Sequence, residues 1–234
     1  MRIAPSRLNT TIAALFMVGS ACFVLGSLPA YVNTVGGTAD AVTYFVGSIF
    51  FTVASLCQLL QSQSPQLTGV GARQQHEAAP VRLWAWLPHD RNWIAAATQF
   101  PGTLFFNIST FAALAHNATA REEDQHVWRP DFFGSTLFLV SSAFAILALG
   151  HVLRVRTRSL PWWIAWLNML GSLLFMWSAI ASYVLPTTGD LIDSRASILG
   201  TLLGALCFLV GAALVLPAWR TAVRDAEAEP VPRH

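Results

Sequence analysis

Six long apolar stretches, parted by shorter polar ones, dominate the chain: Thr10–Tyr31, Ala39–Gln61, Trp93–His116, Asp131–Val155, Trp162–Leu185 and Ala196–Trp219. Each has the length, about 20 residues, at which a helix crosses a bilayer with every backbone hydrogen bond closed internally. The pattern predicts an all-α, polytopic integral membrane protein with six transmembrane helices. The longest interval, 62–92, has only the length of one supersecondary motif, so a single membrane domain over 1–234 is expected. The first stretch follows Arg2 and Arg7 as a secretory signal would. It exceeds the ~7–15 apolar residues of such a signal and a second span follows at once, so it is expected to remain as a helix.

Within the apolar stretches, small residues recur in register. Each holds glycine followed by serine or threonine, beginning at Gly19, Gly47, Gly102, Gly134, Gly171 and Gly200. Four residues later stands Phe23, Phe51, Phe106, Phe138 or Phe175, and in the sixth stretch Gly204. Seven residues later stands Gly26, Ala54, Ser109, Ser141, Ser178 or Cys207. On an α-helix these positions share one face. In lipid, burying leucine gives little net drive, so helices associate through close backbone approach at small residues and through shielded hydroxyls. The six glycines are therefore read as helix-packing positions.

The glycines lie 28, 32 and 29 residues apart within successive pairs, and 55 and 37 apart between pairs. That spacing predicts three tandem hairpins, at 10–61, 93–155 and 162–219. A chance coincidence of residues common in membrane helices is the plainer alternative.

The segment Leu15–Leu60 resembles the YrhK-type two-helix membrane hairpin, which carries an aromatic–x–x–Gly-Ser–x–x–Phe pattern in each helix. Phe16, Gly19, Ser20 and Phe23, then Tyr44, Gly47, Ser48 and Phe51, carry the resemblance. Elsewhere only the short motif persists, and its aromatic position becomes Gln99, Asp131 and Asn168. The resemblance implies architecture, not an activity.

Charge sets an orientation. All 14 basic residues are arginine. Eleven fall at one set of helix ends; Arg121, Arg129 and Arg195 fall at the other. The positive-inside bias then places both termini in the cytoplasm, in a cell (inner or plasma) membrane. A net charge of +2 gives no reason to expect nucleic acid, and membrane lipids are the expected partners, with a homo-oligomer or another membrane protein as further candidates. The interval 62–92 includes RLWAWLPHDRNW, which reads as an interfacial segment, and 220–234 as a flexible polar tail.

Candidate chemistry is sparse. No ionisable residue lies near the middle of a stretch, which lowers the case for a proton relay or an intramembrane hydrolase. Cys22, Cys57 and Cys207 lack ligand spacing, and no phosphate loop, nucleophile elbow or zinc-protease helix occurs. No cofactor, metal or catalytic set is expected. Two groups of polar residues remain. Asn107, His116 and Asp131 form a candidate outer pocket, with Asn107 equally readable as an interhelical hydrogen bond and Asp131 as a helix cap. Gln58, Gln99 and Asn168 form a candidate inner cluster, or separate interhelical contacts. Pro101 predicts a kink near Ala97–Pro101.

Two functions follow. The first, preferred for the lack of midplane charge, is a non-catalytic membrane component that binds lipid or protein partners through its small-residue faces. The second is a channel or facilitator for a small neutral or weakly charged solute.

Overall fold

The computed structural model describes residues 2–68, 76–115, 120–150, 156–185, 188 and 190–228. Long helices make up most of it: α1 (Pro5–Gly26), α3 (Gly37–Ser62), α5 (Arg91–Ala112), α7 (Arg129–Ala148), α8 (Leu160–Ala181) and α9 (Ser194–Ala228). Short helices α2 (Pro29–Val35), α4 (Pro65–Thr68) and α6 (Ala120–Glu122) lie between them. Among the described residues the only sheet is a two-residue pair, β1 (Arg2–Ile3) against β2 (Ala79–Pro80).

Among the described residues five helical stretches are long and apolar enough to cross a membrane: α1, α3, Glu123–Ala148, α8 and a part of α9. Helix α5 matches α1 in length, but Gln99, Pro101 and Asn107 leave it short of that apolarity. It runs unbroken through Pro101.

Each long helix packs on the next in chain order, and α9 returns to α1, closing a ring. The tightest pairs are α1 with α3, α5 with α7, and α8 with α9. Neighbours are antiparallel. Asn9 near the start of α1 accepts from Gln61 at the end of α3, whereas Ser27 just past α1 bonds Tyr44 early in α3. In the same sense Ser48 bonds Thr110, Ser141 donates to Ala95, and Ser178 bonds Thr201. Helices α1, α5 and α8 thus run away from the N-terminal end of the ring; α3, α7 and α9 run back to it.

The ring turns its small residues inward and its large aliphatics outward. Ser20, Ser48, Thr103, Ser135, Ser172 and Ala205 are all 0% exposed, one on each long helix. Val46, Ile49, Val53 and Leu56 of α3, and Leu199, Leu203, Leu206 and Val210 of α9, are exposed. Such an outer face suits a hydrocarbon solvent, which leucine and valine do not need to escape.

At the N-terminal end the chain folds over the helix ends. Ser64 accepts from the Arg82 amide at 2.9 Å, and Gln63 from the Ala85 amide at 3.0 Å. Leu67 of α4 closes a small cluster with Leu8 and Ile12. Leu83, Trp84 and Trp86 stay more than two-thirds exposed beyond it.

Candidate functional site

The site begins with six glycines. A Cβ built at Gly19 would lie 3.0 Å from the Gly47 carbonyl, and one at Gly47 3.1 Å from that of Gly19. Gly134 meets the Gly102 carbonyl at 3.1 Å in the same way. In the third pair Gly171 and Gly204 face each other, at 3.1 and 3.0 Å. Gly200 lies one turn earlier, against the Leu174 carbonyl at 2.8 Å and Ser178. The sixth counterpart in space is thus Gly204. Its sequence signal is Phe208, four residues on, the spacing found in the other five helices. Ala205 replaces the hydroxyl residue there, because the buried position demands small volume and not an oxygen.

Backbone contact at the glycines drives each phenylalanine across its helix pair. Phe51 lies over Gly19 and Phe23 over Gly47; Phe138 and Phe106, then Phe208 and Phe175, repeat the exchange. The six rings form one buried cluster on the ring axis. Phe51, Phe138 and Phe208 form one layer, with centroids 6.4, 6.2 and 5.7 Å apart. Phe175 lies 6.0 Å from Phe23 and 5.9 Å from Phe106 in the other. Edge-on contacts of 5.6, 5.1 and 5.2 Å within the helix pairs join the two layers. Edge-to-face geometry is the favoured approach of two aromatic quadrupoles.

A cavity lies on each side of this double layer. The near cavity, toward the N-terminal end, has a volume of about 150 Å³ and rests on Phe51, Phe138 and Phe208. The far cavity, about 320 Å³, rests on Phe23, Phe106 and Phe175. Helix direction explains the division. Seven residues, or roughly 10 Å of helix, separate each phenylalanine from a lining residue on its own helix. In the near cavity these are Phe16, Gln58, Gln99, Ala145, Asn168 and Val215. In the far cavity they are Tyr44, Asp131, Ser182 and Thr201.

Gln58, Gln99 and Asn168 therefore line one cavity at matched depth, one from each tight helix pair. Ser141 donates to the Ala95 carbonyl at 2.8 Å and reaches Gln99 Oε1 at 3.4 Å. Gln58 Oε1 is buried without a partner. Asn9 and Gln61, hydrogen-bonded at 3.0 Å, line the end farthest from the rings. The near lining carries amides and hydroxyls but no charge.

The other sequence group is divided. Asn107 donates to Thr52 of α3 at 2.9 Å and is not among the residues lining the far cavity. His116 lies outside the described residues. Asp131 lines the far cavity and caps nothing. The helix is already under way through α6 and a π-helical turn, Glu123–Trp128, so no free N-terminus remains at Arg129. Trp128 Nε1 donates to the Ala179 carbonyl at 2.7 Å, and its ring meets Tyr183 edge-on at 4.8 Å. Tyr44 is held by Ser27 at 2.9 Å, over Gly26, where a Cβ would come within 2.6 Å of the ring. Ser182 escaped the sequence reading, and Thr201 was read only as part of the Gly200 pair, although it stands three residues before Gly204 as Asp131 does before Gly134.

Among the described residues no three potential metal ligands gather. The arrangement places two cavities with polar lining on either side of a buried aromatic double layer. Compared with protein-family models, curated proteins and solved structures, the chain matches none.

Proposed function

We propose that the chain crosses a membrane six times, α5 being the sixth span, and provides a gated path for a small polar solute. Both termini lie in the cytoplasm in this reading, so the near cavity faces inward and the far cavity outward. Arg2, Arg7, Arg82, Arg91, Arg156, Arg158, Arg220 and Arg224 then sit on the cytoplasmic side. Three hairpins sharing one motif build the path, and the phenylalanine layers are its gate.

The observation that carries this reading is the placement of two polar cavities on one axis, on opposite faces of the aromatic double layer. Apolar constrictions gate by excluding water. The hydrophobic rings meet that requirement, and nothing charged obstructs the axis between them. Helix α5 supports the sixth span, since a lipid-facing helix can carry Gln99 and Asn107 when both turn inward to partners or a cavity. Docking of partners through the small-residue faces has less support, because those glycines are spent on contacts inside the chain.

Substituted-cysteine labelling in sealed vesicles tests the path. With Cys22, Cys57 and Cys207 replaced, cysteines at Gln58 and Asp131 should react with a membrane-impermeant maleimide from opposite sides. A cysteine at Ala205, fully buried among the rings, should resist both. Labelling of neither cavity position, or of both from one side, would overturn the reading.

A further inference from the structure

We infer that the far cavity is a binding site for a small organic cation, an amine or quaternary ammonium, with Asp131 as its counter-ion. This deepens the passage reading by naming a solute class, yet it rests on the cavity alone.

Charge is the first argument. Asp131 and Glu123 both line the cavity, and no described arginine, lysine or histidine does. The nearest arginine in sequence, Arg129, is exposed and committed to Asp124 at 2.8 Å. Among the described residues none donates a hydrogen bond to the Asp131 carboxylate. The carboxylate is half-buried in the cavity wall with no opposing charge, and a cation bound in the cavity supplies one.

The rest of the lining selects the kind of cation. Phe23, Phe106 and Phe175 form the floor, with Tyr44 and Trp128 in the walls. Aromatic faces attract alkylammonium groups, which shed their water more readily than a metal ion does. Two carboxylates amid rings fall short of the six or more oxygen ligands that calcium takes.

An independent observation lies one turn below Asp131 on α7. Ser135 lines the same cavity, and its fully buried Oγ has no hydrogen-bond partner. Its neighbours across the cavity are already engaged: Ser178 bonds the Ser197 carbonyl and Thr201, each at 2.7 Å. A hydroxyl- or amine-bearing ligand held at Asp131 would satisfy Ser135. A volume of about 320 Å³ holds a molecule of choline size.

The test is binding to the full chain in lipid nanodiscs, by calorimetry at constant ionic strength. Choline and tetramethylammonium are the cationic probes. The neutral isostere 3,3-dimethylbutan-1-ol, with carbon in place of nitrogen, is the control. Choline should bind and the alcohol should not. Asp131→Asn should weaken choline at least tenfold, while Gln58→Leu in the near cavity leaves it unchanged. Choline should also slow maleimide labelling of a Ser135→Cys variant, a readout that survives if Asp131→Asn fails to fold. Equal binding of choline and the alcohol, no binding of either cation, or unprotected labelling at position 135 would overturn the inference. Choline binding without flux would sink the passage reading and leave this site standing.

Discussion

The two cavities are built from the same parts and differ in what the positions seven residues before or after a phenylalanine supply. Each rests on three phenylalanines, and each is lined by residues two helical turns from those rings. The near cavity receives two glutamines and an asparagine there; the far cavity receives a tyrosine, an aspartate, a serine and a threonine. The near cavity is neutral and of about 150 Å³, whereas the far cavity carries carboxylates and is about twice that volume. One scaffold can thus present two chemistries, because the glycine and phenylalanine positions hold the backbone and leave the positions two turns from each ring free to vary.

The comparison breaks most openly if the rings between the cavities are removed. Phe138 contacts Phe51, Phe106 and Phe208, so Phe138→Ala opens both layers at once. Solute entry into proteoliposomes, read by light scattering, should rise about tenfold, the equivalent of ~1.4 kcal/mol off a barrier. An unchanged rate would mean that the rings are core and not gate.

Next in size is the scaffold both cavities share. A methyl at Gly204 overlaps Phe175, whereas one at Gly37, outside the ring, meets nothing within 4 Å. Gly204→Ala should cost about 1–3 kcal/mol by overpacking, visible as a drop of several degrees in melting temperature; Gly37→Ala should change it little. Equal melting of the two variants would remove the glycine contact from the account.

The near cavity's neutrality can be sharpened with Gln58. Its Oε1 is buried and unpaired, so Gln58→Leu removes an unsatisfied acceptor. Stability should rise by about 1 kcal/mol, while passage of choline slows. If stability falls instead, Gln58 has a partner that the geometry does not reveal.

The smallest effect is expected away from both cavities. Asn107→Ala loses the hydrogen bond to Thr52 and should cost about 1 kcal/mol, with solute flux intact. Lost flux at unchanged stability would place Asn107 on the path.

Particular residues show how far the chain could be read without its fold. The near group Gln58, Gln99 and Asn168 was legible because side chains at one depth in the membrane tend to share an end of the bundle. Asn107 and Asp131 were grouped by the same logic, and depth alone did not show that Asn107 turns to α3 while Asp131 turns to the axis. The cap expected of Asp131 failed because a π-helical turn carries the helix through Trp128, and no local sequence signal marks that continuation. Gly204 was passed over for Gly200 because the reading followed the hydroxyl residue, whereas the fold follows volume. Boundaries moved too: the first stretch divides into α1 and α2 at Pro29, whose ring fixes the chain at the first position of a new helix.

The order of residues by itself determined five helices apolar enough for a membrane, a sixth of equal length, and the glycine–phenylalanine rhythm on them. Those follow from periodicity and from the backbone's need to bond itself in lipid. Only the tertiary structure decided where each side chain ends up. Gln99 and Asp131 occupy the same place in the motif, three residues before glycine, yet line opposite cavities. The reason is direction: α5 and α7 run antiparallel, and one position on two antiparallel rods points to two different ends.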